Sequence, residues 1–172
     1  IGAGPAVSAE ELIRAAEPVL GNLTEVTGET AFISRRIGVA AVCLAQVASP
    51  QALRVVLEPG QAGPLHIGAV GEVLLAFAPE EVQDAALADV PGGSAVHQAL
   101  ARVASEALAT DTGDTFIGVT TVAVPIMRAD GIVAAICVAA PGERAGRRWQ
   151  ARTRGALRRA ASEIEASLGS PP

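Results

Sequence analysis

Pro64-Leu-His-Ile-Gly-Ala-Val-Gly-Glu-Val-Leu-Leu-Ala-Phe-Ala78 joins a glycine-containing loop to a helix-forming run, and the rest of the chain is arranged around it. The residues from Glu72 to Ala78 are good helix formers. Gly68 and Gly71 precede them, and small residues at a helix start allow another group to approach the backbone. The unpaired N–H groups and the helix dipole there suit a carboxylate or carbonyl oxygen. Because a lone glycine pair is weak evidence, an ordinary loop-to-helix junction is the alternative.

Composition indicates one globular domain. The chain has 172 residues, half of them hydrophobic, and only four aromatic side chains, so its core must be aliphatic and rich in alanine. The net charge is −5 and all thirteen cationic side chains are Arg, which argues against binding of nucleic acid by these residues alone. No apolar run reaches the ~18 residues that suggest a membrane span, and residues 1–7 lack the features of a signal peptide.

The cysteines and histidines do not form a recognisable metal or disulfide pattern. Cys43 and Cys137 are far apart and fall in apolar, strand-like runs, which is typical of buried thiols in a reducing cytoplasm. His66 and His97 have no ligand spacing. We therefore expect a cytoplasmic protein without a metal or cofactor.

Periodicity predicts an α+β fold. A capping box at Ser8 and Glu11 opens a helix that Gly28 ends. Strands are predicted over 29–36, 39–47, 52–57, 116–127 and 132–140, with a loop at 109–114. Short helices are predicted from 72, from 79 with Pro79 at its first position, and over 94–108 with Ser94 as cap; a last helix covers 144–168. This order predicts an antiparallel sheet with the acidic first helix and the Arg-rich last helix packed together on one face.

Alternation along the last hairpin predicts one bulky and one small face. Ile132, Ala134, Ile136 and Val138 form the bulky set, and Val133, Ala135, Cys137 and Ala139 the small one, with Thr121 beside it on the partner strand. A face of small side chains either admits a closely packed neighbour or leaves a hollow. Asp111 either reaches the mouth of such a hollow or simply forms a turn.

Four segments together carry a family pattern: Leu53-Arg-Val-Val-Leu-Glu-Pro-Gly60, Pro64-Leu-His-Ile-Gly-Ala-Val-Gly71, Val122-Ala-Val-Pro-Ile126 and Ala134-Ala-Ile-Cys-Val-Ala-Ala-Pro141. Their order and spacing resemble the C-terminal effector-binding domain of the isocitrate lyase regulator (IclR) family of bacterial transcription factors. The resemblance implies a GAF-like domain at 8–169 and a tail at 170–172. It also implies that residues 1–7 are the remnant of a linker from a missing winged helix-turn-helix.

The resemblance also implies a site for a small organic acid. The ligand carboxylate would meet backbone amides at Gly68, Ala69, Val70 and Gly71. Asp111, Thr121, Cys137 and Ala139 would supply side-chain contacts, and Val55, Leu57 and Val119 would supply apolar lining. Where relatives commonly have Lys this chain has Glu72, and the last-strand hydroxyls are replaced by a thiol and a methyl group, so we expect a rather apolar carboxylate as effector. The family also implies a homodimer or homotetramer that contacts DNA only through the missing domain, with no membrane partner.

Two other functions stay open at this stage. A thiol-dependent enzyme on the same scaffold would need an exposed cysteine of low pKa. A purely structural oligomerisation domain would have a filled core and no pocket.

Overall fold

The computed structural model describes residues 6–169, so the predicted tail and most of the predicted linker remnant lie outside the described residues. The helices are α1 Ala9–Thr27, α2 Gly68–Ala76, α3 Glu80–Leu87, α4 Gly93–Glu106 and α5 Arg147–Gly169. The strands are β1 Thr30–Ile37, β2 Ala40–Val47, β3 Ala62–Pro64, β4 Ala109–Asp111, β5 Val119–Arg128 and β6 Gly131–Pro141. A 3-10 turn, Gly142–Arg144, links β6 to α5.

The six strands form one antiparallel sheet in the order β3-β2-β1-β6-β5-β4. Helices α1 and α5 pack against one face and share a core with the bulky side chains of β1, β5 and β6. Helices α2 and α4 pack against the other face, over the small side chains of β5 and β6. The predicted α+β, GAF-like arrangement with both terminal helices on one face is confirmed.

The ends of α1 follow the sequence signals. Ser8 and Glu11 form the predicted capping box, with the Glu11 N–H donating to Ser8 Oγ and the Ser8 N–H donating to Glu11 Oε2. Gly28 adopts the left-handed conformation at φ +75° and its N–H donates to the Thr24 carbonyl at 2.8 Å. The Ser8 cap fixes where α1 begins, and the Gly28 cap fixes where the chain turns from α1 into β1.

The expected attraction between the charges of α1 and α5 is not realised as ion pairs. In residues 6–169 the one salt bridge joins Glu29 to Arg144, and neither residue belongs to those two helices. The helices are instead held by their apolar faces and by Trp149, whose indole N–H donates to the Thr27 carbonyl at 3.0 Å. Burial of apolar surface outweighs exposed ion pairs in this interface.

The predicted strand at 52–57 is wrong, although its residues favour extended backbone. Side chains of neighbouring strands bind this segment: Thr30 Oγ1 donates to the Val55 carbonyl, and the Leu57 N–H donates to Gln46 Oε1 at 3.0 Å. The edge of β2 pairs instead with Ala62–Pro64, where the sequence predicts no strand. Because β3 has only three residues, it carries too short a pattern to be recognised from sequence.

Three further boundaries differ from the prediction. Residues 109–111 form the edge strand β4 inside the predicted loop. Pro79 is the N-cap of α3 rather than its first residue, and Gly92 caps α4 instead of Ser94. Gly92 has φ +89°, a conformation that glycine adopts at little cost, so the chain turns there without a side-chain cap.

A β-bulge in β6 changes which side chains share a face. Ile126 pairs with Ala134 while Met127 pairs with Ile132, so Val133 is an extra residue in the ladder. Val133 therefore packs against the α1–α5 core, and Ile132 packs against the α2–α4 core. Strict alternation had assigned these two residues the other way round.

Candidate ligand-binding site

The start of α2 is built by two glycines with different roles. The helix begins at Gly68, four residues before the predicted start at Glu72, and Gly68 has φ +70°, where L side chains are strained. Gly71 lies against the preceding segment so closely that a Cβ there would be 2.5 Å from the Leu65 carbonyl oxygen. The helix can therefore approach residues 64–65 only because position 71 has no side chain.

The first turn of α2 presents backbone N–H groups that the helix itself cannot satisfy. The N-cap residue, Ile67, has an apolar side chain and makes no capping bond. The N–H groups of Ala69 and Val70 lie in this turn, where no carbonyl four residues earlier belongs to the helix. Together with the helix dipole they favour an anionic or carbonyl oxygen at this end.

A loop held by Asp111 reaches the same helix end. Asp111 Oδ1 accepts hydrogen bonds from the N–H groups of Gly113 and Asp114, both at 2.9 Å, and from that of Thr115 at 3.5 Å. Thr115 Oγ1 in turn accepts the Gly68 N–H at 3.2 Å. Asp111 thus shapes the loop that positions Thr115 and Phe116 over the helix start.

Between this helix end and the sheet lies a cavity of about 400 Å³. Its floor is formed by strands β1, β2 and β3, its wall by the first turn of α2, and its cover by Thr115 and Phe116. The lining comprises Phe32, Ser34, Ala41, Cys43, Leu57, residues 61–64, Ile67, Gly68, Ala69, Val70, Gly71, Thr115, Phe116 and Thr121. None of these side chains is charged, so the helix end is the main source of polarity in the wall.

The cavity contains a few uncharged polar side chains. Thr121 Oγ1 is buried and has no hydrogen-bond partner within residues 6–169. Ser34 and Cys43 face each other across the β1–β2 ladder and both line the cavity. Burial raises the pKa of the Cys43 thiol to about 11, with the nearby Glu58 carboxylate adding to the increase, so the thiol stays protonated at neutral pH.

Six of the predicted site residues lie on the cavity wall. They are Gly68, Ala69, Val70, Gly71, Leu57 and Thr121. Asp111 lies outside the wall and acts on it through the loop described above. Cys137 and Ala139 are fully buried in the α2–α4 core, and Val55 and Val119 are also absent from the lining.

The cavity includes residues 68–71 and Thr121 but extends over β1 and β2 rather than over the 119–139 hairpin. The small face of the hairpin admits close neighbours instead: Ala123, Ala135 and Cys137 pack with α2 and α4 in one apolar cluster. The free volume opens beside it, over β1 and β2, because Ser34, Ala41 and Cys43 are small. From the hairpin only Thr121 reaches the lining.

Sequence reasoning missed Phe32, Ser34, Cys43 and Phe116 as lining residues. Cys43 had been interpreted only as a buried thiol, and Phe116 as part of a strand. The signal that was available is alternation: Ala41 and Cys43 are small residues two positions apart on β2, and Ser34 pairs with Cys43. Their joint face could be identified only once the β1–β2 register was known.

The acidic groups behind the helix start affect one another. Burial raises the pKa of Glu72, and the carboxylates of Asp111 and Asp114 raise it further. Burial acts in the same direction on the pKa of Asp111, but hydrogen bonds from Thr115, Gly113 and Asp114 outweigh it and lower that pKa. Asp111 is therefore the more firmly ionised of the two.

Within residues 6–169, no cluster of three or more His, Cys, Asp or Glu side chains is placed to hold a metal ion. No helix in the same range is long and apolar enough to cross a membrane.

The antiparallel sheet with a cavity beside a helix start is the architecture of a GAF-like regulatory domain, and comparison with known proteins identifies its family. The family described as "Bacterial transcriptional regulator IclR C-terminal" matches residues 5–166. The chain belongs to this family, as its sequence pattern predicted.

Relatives agree with that assignment. "Probable transcriptional regulator SauR" from Cupriavidus necator is 32% identical over 136 residues, which cover 73% of this chain and 51% of SauR. This chain therefore spans about half the length of that relative. A solved C-terminal domain of a transcriptional regulator from Vibrio cholerae is 29% identical, with a TM-score of 0.81 and coverage of 88% of this chain and 94% of that one.

A third comparison concerns the fold alone. An IclR homolog from Microbacterium hydrocarbonoxydans, solved in complex with 4-hydroxybenzoate, is 23% identical with a TM-score of 0.85. The match covers 94% of this chain and 70% of that one.

The family and these relatives are described as transcriptional regulators rather than enzymes, which agrees with the expectation that this domain is not an enzyme.

Proposed function

We propose that this domain senses a small, rather apolar organic acid for an IclR-type transcription factor. The observation that carries the proposal is the cavity of about 400 Å³ with the first turn of α2 at one end and an uncharged wall elsewhere. Backbone N–H groups and the helix dipole complement a carboxylate, while Phe32, Leu57 and Phe116 complement an apolar body. The complex of a family relative with 4-hydroxybenzoate makes that acid the first probe to use.

We propose that the acid changes the arrangement of subunits in a homodimer or homotetramer and so the spacing of DNA-binding domains. Residues 1–7 would be the remnant of the linker to a winged helix-turn-helix, residues 8–169 the effector domain, and 170–172 a tail. The whole protein would act in the cytoplasm and contact DNA through that N-terminal domain alone. Such coupling requires that the acid bind one arrangement more tightly than the other.

The role of the carboxylate is tested by calorimetry with pairs of acids and their neutral amides, beginning with 4-hydroxybenzoate and 4-hydroxybenzamide. We expect the amide to bind about tenfold more weakly, because it loses the favourable interaction of a negative charge with the helix end. Equal affinities of the acid and the amide would show that the helix end does not bind the ligand. An absence of heat and thermal shift with every carboxylate of a broad panel would contradict the sensor function itself.

The cavity wall is tested with Thr121→Val and Thr153→Val. Both threonines have a buried hydroxyl without a partner in residues 6–169, but only Thr121 lines the cavity. Thr121→Val is expected to change acid affinity several-fold, and Thr153→Val, on the opposite face of the sheet, to leave it unchanged. Equal effects of the two variants on affinity would contradict the proposed position of the ligand.

Neither alternative function is favoured by a specific observation. An enzyme based on Cys43 would need its thiolate, which the raised pKa of that group disfavours. A purely structural domain would not need a cavity of this size beside a helix end.

A further inference from the structure

One backbone N–H of the cavity wall is already bound by a side chain from a distant part of the chain. The Gly68 N–H donates to Thr115 Oγ1 at 3.2 Å, although the two residues are 47 positions apart. Both residues line the cavity, so this hydrogen bond lies where the proposed effector would place its carboxylate. Thr115 thereby caps α2 in place of Ile67, whose side chain makes no capping bond.

The Thr115 hydroxyl has no hydrogen to offer to a ligand in this arrangement. Burial raises the pKa of Asp111, and the hydrogen bond from the Thr115 side chain is the strongest of the contacts that lower it. A hydroxyl carries a single hydrogen, so donation to Asp111 leaves only lone pairs on the side toward Gly68. An arriving carboxylate would therefore meet this oxygen as a competitor for the Gly68 N–H and not as a donor.

The loop between β4 and β5 is held at its two ends and exposed at its tip. At one end, Asp111 Oδ1 accepts two loop N–H groups at 2.9 Å. At the other end, the Gly118 carbonyl accepts the Gly142 N–H at 2.7 Å. The tip between them is open to solvent, since Phe116 is 56% and Ile117 99% exposed. The tip can therefore move while both ends keep their hydrogen bonds.

We propose that Thr115 is an internal competitor of the effector, and that an acid binds by displacing the Thr115 hydroxyl from the Gly68 N–H. This role of Thr115 rests on the proposed function, because it concerns the same cavity. The carboxylate takes over the Gly68 N–H beside the N–H groups of Ala69 and Val70, and the loop tip is released. The exchange favours an anion, because a hydrogen bond to a charged oxygen is about twice as strong as one to a neutral oxygen.

The Thr115 contact thus opposes occupancy by uncharged molecules. A neutral ligand exchanges one neutral acceptor for another at Gly68, and so it gains almost nothing there. An acid gains a stronger bond and also frees the loop. The same contact therefore contributes to selectivity for acids and makes the position of the loop depend on whether the cavity is occupied.

Calorimetry with Thr115→Val tests the competition, using 4-hydroxybenzoate and 4-hydroxybenzamide, or the tightest acid of the panel and its amide if that acid binds better. Valine has nearly the shape of threonine but no hydroxyl, so the Gly68 N–H becomes available to the ligand. We expect the acid to bind about three- to tenfold more tightly to Thr115→Val, the factor that one hydrogen bond supplies. The amide should gain less than about twofold, because its oxygen is uncharged.

Two control variants accompany Thr115→Val. Thr115→Ser keeps the hydroxyl and should bind the acid as the unaltered chain does. Thr112→Val makes the same substitution in the same loop, but Thr112 is exposed and lies outside the cavity lining, so the affinity for the acid should not change.

NMR of the unaltered, isotopically labelled chain gives a second test that needs no variant. Saturation with the acid should move the Gly68 amide proton downfield, because its acceptor changes from a neutral to a charged oxygen. Nitrogen relaxation should show larger motion of residues 115–117. The Gly113 and Asp114 amides should stay protected from exchange, because Asp111 still binds them.

Failure of this role and failure of the sensor function give different results. Affinity of Thr115→Val for the acid that is equal to or weaker than that of the unaltered chain would contradict the displacement and leave the sensor function standing. Equal gains for the acid and the amide would attribute the effect to the added methyl group, and a loop that becomes more rigid with the acid bound would show that Thr115 closes over the ligand; either result overturns the role. Absence of binding by every carboxylate, to both chains, would contradict the sensor function and this role together.

Discussion

Replacing Gly71 by alanine should destabilise the domain, although glycine to alanine inside a helix normally does the opposite. The added Cβ would lie 2.5 Å from the Leu65 carbonyl oxygen, 2.9 Å from its carbonyl carbon and 3.2 Å from the Pro64 oxygen. An ordinary contact begins near 3.4 Å, so α2 or residues 64–65 must move by roughly 0.9 Å. Both groups are backbone, and no side-chain rotation can relieve the overlap.

Two opposing free energies set the magnitude. Alanine gains about 0.8–1 kcal/mol over glycine in a helix interior, and less in a first turn. Forcing a tightly packed element apart costs about 1–3 kcal/mol. We therefore expect Gly71→Ala to lower the free energy of unfolding by about 1–2 kcal/mol, and the melting temperature by about 2–4 °C per kcal/mol.

Gly21→Ala provides the matched control for urea and thermal unfolding. Gly21 lies inside α1, and a Cβ there would meet nothing within 4 Å, so the same substitution should raise stability by up to about 1 kcal/mol. The two variants should thus move the urea midpoint in opposite directions at unchanged slope. Gly71→Ala as stable as Gly21→Ala would refute the close approach of α2 to residues 64–65, and with it the geometry of the cavity wall.

Four further measurements test other contacts of the fold and the cavity. Because the pKa of Glu72 is raised in the folded chain, stability falls as the pH rises above the pKa of a free glutamate. Glu72→Gln should therefore increase stability at neutral pH, and this gain should vanish in acid. Asp111 should show the opposite pH dependence. Its lowered pKa gives stability that is present at neutral pH and lost as pH falls through the pKa of the folded state, so Asp111→Asn should be destabilising at pH 7. Urea titrations that show the same pH trend for the Glu72 and Asp111 variants would contradict this. Cys43 should react slowly with a thiol reagent at pH 7, and the rate should rise as the pH approaches 11. An acid bound in the cavity should lower the rate. Fast labelling at pH 7 would contradict the protonated state of the thiol. Arg144→Ala should lower the urea midpoint, because it leaves the buried Glu29 carboxylate without its cation, and Arg144→Ala combined with Glu29→Gln should recover part of that loss; an unchanged midpoint for Arg144→Ala would contradict this.

Local signals predicted much of this fold because each element boundary depends on a few neighbouring residues. The capping box at Ser8 and the left-handed Gly28 act within four residues of themselves, so they can be recognised in the sequence and both are confirmed. The alternation of β6 likewise assigned Ala135 and Ile136 to opposite faces correctly. These features need no knowledge of the tertiary structure.

The features that failed depend on partners distant in sequence. Residues 52–57 have strand-like composition but are bound by side chains of β1 and β2, whereas Ala62–Pro64 pairs with β2 because the loop brings it to that edge. The bulge at Val133 is visible only in the register against β5. The sequence predicted only part of the cavity wall for the same reason: the glycine-rich helix start is local, but Ser34 and Cys43 meet only across the β1–β2 ladder.

The strand order has a consequence for how this domain is made. At the centre of the sheet, β1 pairs with β6, joining Thr30 to Ala139 across more than one hundred intervening residues. The ribosome must release the domain as far as β6 before that seam can close, and contacts so remote along the chain slow folding. Until then the edge of β1 that pairs with β6 is open, and unpaired strand edges in partly folded chains promote aggregation. The same seam should let separately produced halves, divided after α3, reassemble into one domain.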